Sequence, residues 1–192
     1  MKIKCIIFLL ALSVMTLSGK TTGIKTNLLY DATANANIEV ETKVAPRWTV
    51  QLGGNFNFWK FSEGKQWRNY VVQPEGRYWF CDAFAGHFVG AHLLGGQYNI
   101  GNVDLDFNML GTDFGNLKDS RYQGWFAGAG IAYGYAWVLA KHWNLEAEIG
   151  LGYVYSRYDR YPCAVCGTKL ESDVSHHYFG PTKLAVSIVY IF

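Results

Sequence analysis

The most informative stretch of this chain is Leu184-Ala185-Val186-Ser187-Ile188-Val189-Tyr190-Ile191-Phe192. Every second residue from Leu184 to Phe192 is apolar, so a strand formed here would have one apolar face. An unpaired apolar strand is an aggregation hazard in a water-soluble protein. In a membrane β-barrel, by contrast, closure removes the free edge and lipid accepts the apolar face. The stretch therefore predicts the closing strand of an outer-membrane β-barrel.

The opposite end of the chain has the order of a secretory signal peptide. Met1-Lys2-Ile3-Lys4 is short and basic, residues 6–17 are an apolar run, and the small residues Ser18 and Gly19 follow. The run is too short to span a bilayer as a helix, which takes about 20 apolar residues. We therefore expect a cleaved signal peptide at residues 1–19 and one domain at residues 20–192.

The composition favours a β-rich fold. Half of the residues are hydrophobic, 17% are aromatic and only 17% are charged, where globular proteins usually have about a quarter charged residues. The chain contains 21 glycines and, beyond the leader, no long apolar run. A formal charge of +2 without a basic stripe argues against nucleic-acid binding.

Eight segments alternate apolar and polar residues and are predicted as β-strands. In the clearest of them, Trp48, Val50 and Leu52 share one face, and Thr49 and Gln51 share the other. In the fifth segment the alternation is blurred and no face is assigned. The predicted strands are residues 24–31, 37–44, 48–58, 70–80, 88–98, 123–139, 143–155 and 184–192.

The predicted connectors alternate in length. Those after strands two, four and six are short (residues 45–47, 81–86 and 140–142), and those after strands three, five and seven are long (residues 59–69, 99–122 and 156–178). The first connector, residues 32–36, is an exception. Short periplasmic turns opposite long extracellular loops are typical of outer-membrane barrels, and an even strand number returns both ends to the periplasm.

A lipocalin-like soluble barrel, whose apolar face points inward, is the alternative fold. The polar face of the strands is rich in Gly, Asn, Thr and Ser, which suits the tight interior of an eight-stranded barrel. The apolar face carries no Lys or Glu in the clear strands, and the ending on Phe192 resembles the signal read by the outer-membrane barrel assembly machinery. The sequence therefore predicts an all-β, eight-stranded antiparallel transmembrane β-barrel in the cell outer membrane.

Several motifs resemble an uncharacterised family, a domain of unknown function in small exported proteins of gut Gram-negative anaerobes. The motifs are Lys25-Thr26-Asn27-Leu28-Leu29-Tyr30-Asp31-Ala32-Thr33, Gln73-Pro74-Glu75-Gly76-Arg77-Tyr78-Trp79-Phe80, Gly124-Trp125-Phe126-Ala127-Gly128-Ala129-Gly130, Tyr161-Pro162-Cys163-Ala164-Val165-Cys166-Gly167 and Phe179-Gly180-Pro181-Thr182-Lys183. Genes of this family often lie beside fimbrial genes. A more distant resemblance is to the transmembrane domain of outer-membrane protein A. Both resemblances imply an outer-membrane barrel, and neither supplies catalytic residues.

Charged residues on the polar faces are expected inside the barrel, because charges are costly in lipid. They could form an ion path or an interior plug of paired charges. Eight strands enclose only enough room for side chains, which favours the plug and argues against a diffusion porin. The residues are Glu39, Glu41, Lys43, Glu75, Arg77, Glu146, Glu148 and Lys183.

Cys163 and Cys166 lie in the last predicted loop, with His176 and His177 ten residues further on. The cysteine spacing suits half of a zinc site, with His176 as the candidate third ligand. The two histidines are poorly placed to complete the zinc site together, because consecutive side chains in an extended chain point in opposite directions. A local disulfide or a pair of free thiols is favoured over zinc. No other cofactor is expected.

No nucleophile–base pair stands out among His87, His92 and His142, so an enzyme is not expected. We expect a structural or interaction role, with outer-membrane lipid around the barrel. A fimbrial or adhesin protein would contact the loops at residues 59–69, 99–122 and 156–178. The alternatives are a lipid-modifying enzyme, which lipid A mass spectra of a deletion strain would reveal, and a narrow-pore transporter.

Overall fold

A computed structural model describes residues 21–57, 66–101, 108–109, 112–113, 121–162 and 169–192. The predicted signal peptide lies outside the described residues. Aromatic and β-branched residues dominate the outward positions of the described chain, which favours strands. The elements in chain order are β1 (Thr22–Asn27), α1 (Leu28–Ala32), β2 (Ala36–Ala45), β3 (Trp48–Asn57), β4 (Gln66–Trp79), β5 (Gly86–Gly101), β6 (Asn108–Met109), β7 (Thr112–Asp113), β8 (Arg121–Ala140), β9 (Trp143–Tyr161) and β10 (Glu171–Ile191).

Eight antiparallel strands close into one barrel in the order β1-β10-β9-β8-β5-β4-β3-β2. β6 and β7 form a separate two-stranded sheet. The prediction of an all-β fold with eight antiparallel strands is confirmed. The described residues contain no helix that is long and apolar enough to cross a membrane.

The C-terminal strand closes the barrel. β10 pairs with β1 from Ile191, opposite Gly23, to Ser187, opposite Asn27. Leu184 and Phe192 are exposed, whereas Ser187 and its inward neighbours are buried. The two faces predicted for this stretch are therefore confirmed.

The three predicted short connections are confirmed as hairpins at one end of the barrel, here called the turn end. β3 begins three residues after Ala45, β5 begins at Gly86, and β9 begins at Trp143. Gly86 has a φ of +76°, a backbone conformation that glycine adopts without a steric penalty. Phe84, with a φ of +70° in the same turn, points its ring into the barrel and is buried.

The predicted first strand is wrong beyond Asn27. β1 ends there, and Leu28–Ala32 form the short helix α1. The Asn27 side chain accepts a hydrogen bond of 3.1 Å from the Leu29 backbone N–H, so it caps the helix as asparagine does at many helix starts. The alternation of apolar residues over this segment concealed the cap.

The predicted long loops are wrong in extent, because strands continue into all three. β4 begins at Gln66, β5 runs to Gly101, β8 begins at Arg121, β9 runs to Tyr161 and β10 begins at Glu171. Charged residues here indicated loops, yet they pair across strands: Arg157 contacts Asp173 at 2.5 Å, and the Arg121 guanidinium lies 4.1 Å from the Tyr161 ring centre. The backbone ladder therefore continues through polar sequence.

This extension makes the barrel uneven in height. β1 has six residues and β3 has ten, whereas β8 and β10 have 20 and 21. β10 pairs with β1 only between Ile191 and Ser187. From Ser187 back to Glu171, β10 pairs with β9 alone. The parts of β4, β5, β8, β9 and β10 that lie beyond the ends of β1–β3 are called the tall wall.

Candidate functional site

Charged side chains fill the middle of the barrel, as predicted from the polar faces. Seven of the eight predicted residues are buried there, and the exception, Lys43, is partly exposed. Lys25, which the prediction left out, is also buried among them. The interior charge cluster is defined as Lys25, Glu39, Glu41, Glu75, Arg77, Glu146, Glu148 and Lys183.

Arg77 is the centre of this cluster. Its Nη1 donates to Glu41 at 3.0 Å and to Glu146 at 2.9 Å. Its Nε donates to Glu75 at 2.7 Å, and its Nη2 donates to Glu148 at 2.6 Å. One fully buried guanidinium therefore bridges four carboxylates from three strands, in the fork geometry that only arginine provides.

Two lysines complete the network by sharing the carboxylates of Arg77. The Lys25 ammonium lies 2.6 Å from Glu41 and 3.0 Å from Glu146. The Lys183 ammonium pairs with Glu75 and lies 3.1 Å from Glu148. Each of these four carboxylates therefore contacts two cations, so the cost of removing the charges from water is offset by close pairing.

An aromatic layer closes the barrel interior below this cluster, at the turn end. Trp79 and Phe88 are fully buried with ring centres 4.6 Å apart, and Phe84 lies 6.0 Å from Trp79. Trp79 Nε1 donates to Thr49 Oγ1 at 2.9 Å, which satisfies its one donor. The Arg77 guanidinium lies 4.4 Å from the Phe88 ring centre, so the charged and aromatic layers are in contact.

Close packing explains one of the inward glycines. A Cβ added at Gly134 would lie 2.7 Å from Phe88 Cε1, closer than non-bonded carbons approach. The structure also assigns the faces of the fifth predicted strand: Phe88 and His92 point inward, and Val89 and Leu93 point outward. The blurred alternation concealed this because glycines occupy several positions of β5.

The three histidines considered as bases lie far apart in the barrel. His92 is buried with its Nε2 2.9 Å from Thr182 Oγ1. His87 Nδ1 lies 2.6 Å from the Tyr133 hydroxyl on the outer surface, and His142 Nδ1 lies 2.7 Å from the Ile191 carbonyl oxygen. The structure brings none of these three together with another.

Cys163 and Cys166 lie outside the described residues, so the zinc and disulfide alternatives stay predictions. His176 lies on β10 opposite Ser156 and is partly buried, whereas the adjacent His177 is exposed. Within the described part of the chain, no three His, Cys, Asp or Glu residues are placed to hold a metal ion.

The outer surface is apolar. Leu52 is 50% exposed, whereas its neighbour Gln51 is 4% exposed and donates a hydrogen bond to Glu39 inside the barrel. Around the whole barrel, apolar side chains point outward and polar side chains point inward. A lipocalin-like barrel would have the opposite arrangement. Exposed large apolar residues include Val50, Phe56, Val72, Leu93, Ile131, Tyr133, Ile149, Leu151, Leu184 and Ile188.

The outer face changes character where the tall wall begins, and a groove of about 550 Å³ lies there. Two adjacent rows of cross-strand neighbours line it, one containing Tyr70, Gln97, Trp125 and Arg157, the other containing Arg68, Asn99, Gln123 and Asp159. These eight residues and Asp173 are called the outer groove. Five of these nine residues lie in segments predicted as loops, and the strand register aligns them with the others: Arg68, Asn99, Arg157, Asp159 and Asp173.

Ion pairs stabilise the far side of the outer groove. Arg157 pairs with Asp173, and Lys169 donates a 2.6 Å hydrogen bond to Asp159. This bond and one from the Asp173 backbone N–H hold the pKa of Asp159 below its usual range. Asp159 therefore remains ionised at neutral pH.

Comparison with known proteins gives a family and no close relative. A search of curated proteins and a search of solved structures each found no match. The family model described as "Protein of unknown function (DUF3575)" matches residues 5–192. The match spans nearly the whole sequence, including every described strand. The chain therefore belongs to the DUF3575 family.

Proposed function

We propose that this protein is a non-enzymatic β-barrel that spans the outer membrane and presents the tall wall and its adjoining loops as an interaction surface. The observation that carries the proposal is the apolar outer surface around a charged interior. Such a surface would be an aggregation hazard in water, whereas lipid accepts it and the closed ladder satisfies the backbone. The short turns would face the periplasm, after export by the predicted signal peptide.

The interaction role rests on the shape of the barrel and on its filled interior. The tall wall rises beyond the apolar zone and carries polar, aromatic and charged side chains suited to contact with a partner. The partner proposed from the family resemblance is a fimbrial or adhesin protein at the cell surface. Residues 59–69, 99–122 and 156–178, which include the tall-wall edges, would form the contact.

The membrane location predicts heat-modifiable migration in gels. Folded in detergent, the protein should be β-rich by circular dichroism and should migrate faster unheated than boiled, because a closed ladder resists denaturation by the gel detergent. It should also float with phosphatidylcholine vesicles in a density gradient. A monomer that stays soluble and folded without detergent would contradict the proposal.

The filled interior predicts a barrel that does not conduct ions. The interior charge cluster and the aromatic layer occupy the space that a pore would need, since eight strands leave room only for side chains. In planar bilayers at 1 M KCl, the protein should show no stable conductance steps, unlike a 16-stranded porin used as the control. Reproducible single-channel steps would favour the narrow-pore transporter.

A further inference from the structure

The outer groove differs from the surface below it in both shape and chemistry. Below it the outward residues of the same strands are almost all apolar, for example Leu93 and Ile131. In the groove, the rows combine two exposed aromatic rings, from Tyr70 and Trp125, with amide side chains. Concave sites that combine aromatic surfaces with a few placed polar groups are typical of small-ligand binding.

Trp125 offers a flat apolar surface at the centre of the groove. It is 43% exposed, and its ring meets Tyr155 edge-on with ring centres 5.8 Å apart. The edge contact holds the indole in place while leaving ring surface open to solvent. An aromatic face of this kind packs against apolar C–H groups, and its neighbours supply hydrogen bonds.

Two polar atoms of the groove are buried without a partner among the described residues. They are Asn99 Oδ1, an acceptor, and Arg157 Nε, a donor. Buried polar groups in folded proteins almost always have a hydrogen-bond partner, so such atoms need an explanation. Both side chains line the groove, and a ligand that donates and accepts hydrogen bonds, as hydroxyl groups do, would satisfy these atoms once a side-chain rotation turns them to the groove surface.

The charges of the groove argue against an ionic ligand. Both carboxylates of the groove are already in ion pairs, Asp173 with Arg157 and Asp159 with Lys169. An anionic ligand would have to compete with Asp173 for this arginine, and a cationic ligand would meet the same arginine as a repulsive neighbour. Because Arg157 and both carboxylates are engaged with each other or with Lys169, the groove favours a ligand bound through neutral hydrogen-bonding groups.

We propose that the outer groove binds a neutral oligosaccharide, with a sugar ring on Trp125 and its hydroxyls bonded to Asn99, Arg157, Gln97 and Gln123. A sugar has the required features together: apolar C–H faces, hydroxyls that donate and accept, and no net charge. The proposal deepens the proposed function, on which it rests, because the groove would lie on the outside of the cell.

Titration calorimetry with neutral hexasaccharides of glucose, galactose and mannose tests this, with hexagalacturonate as the anionic comparison. The full chain is folded in lauryldimethylamine oxide, because glycoside detergents would compete. We expect at least one neutral hexasaccharide to bind, Trp125→Ala to weaken its binding by about tenfold or more, and hexagalacturonate to bind more weakly.

Trp137→Ala is the matched control, since Trp137 lies on the outward face of the same strand at the turn end and is 45% exposed. We expect this variant to bind the sugar like the wild type. Four results would overturn the proposal: no binding of any neutral hexasaccharide, stronger binding of hexagalacturonate, equal loss in both tryptophan variants, or no loss in Trp125→Ala. Heat-modifiable migration of each sample shows separately whether a barrel has formed. A sample that lacks it would contradict the proposed function, whereas a folded sample that does not bind sugar would contradict only the sugar proposal.

Discussion

Replacing Arg77 with methionine should prevent most of the protein from folding into a stable barrel. Arg77 contacts four buried carboxylates, and the methionine would leave each of the two lysines with two carboxylates. Removing one partner of a buried ion pair typically costs roughly 3–5 kcal/mol, and this arginine serves four partners at once. Urea titrations of the protein in lipid vesicles, followed by the unheated gel band, measure the loss.

A variant with fewer buried carboxylates separates this electrostatic explanation from lost packing. Combining Arg77→Met with Glu146→Gln and Glu148→Gln leaves two one-to-one pairs, Lys25 with Glu41 and Lys183 with Glu75, besides Glu39, which accepts a hydrogen bond from Gln51. We expect this triple variant to fold better than Arg77→Met. The control is Lys43→Met, which removes a cation outside the cluster and should change stability by less than about 1 kcal/mol. A triple variant no more stable than Arg77→Met would mean that charge balance is not what Arg77 provides.

Replacing Leu52 with arginine should destabilise the barrel in vesicles by about 2–4 kcal/mol, the cost of an arginine near the middle of a bilayer on a barrel surface. Leu52 lies near the middle of β3 and points outward, between Val40 and Pro74 of the neighbouring strands. Folding titrations into phosphatidylcholine vesicles give the difference in free energy from the wild type.

Gln123→Arg is the matched control for the position of the arginine relative to the bilayer. Gln123 also points outward, but from the tall wall, where the proposed bilayer has ended. The expected cost is about 0–1 kcal/mol, as found for arginine near the interface. Equal costs for the two variants would indicate that the outer surface faces water, and the proposed membrane location would then be wrong.

Local alternation was enough to predict the two faces of most strands. Leu52 and Gln51 were assigned correctly to the outside and the inside, because side chains of a strand point alternately to its two faces whatever the neighbouring strands are. The same rule failed at Leu28–Ala32, where a cap on Asn27 competes with strand formation. It also left β5 undecided, because glycine has no side chain to mark a face.

The alternation of apolar and polar residues did not predict the strands of the tall wall. Its charged residues, such as Arg157 and Asp173, indicated loops, and only the pairing of β9 with β10 shows that they continue strands. The outer groove depends on this register, because Gln97 and Trp125 become neighbours only when β5 pairs with β8.

The amino-acid sequence alone determined the β architecture, the closing role of residues 184–192 and which side chains turn inward, since these follow from neighbours along the chain. Tertiary structure alone decided which charges meet. Arg77 contacts Glu41 and Glu146, which are 36 and 69 residues away in the chain, and Lys25 reaches the same pair from the first strand. These contacts depend on strand order, register and closure, because the interior of an eight-stranded barrel is narrow enough for side chains from opposite walls to touch.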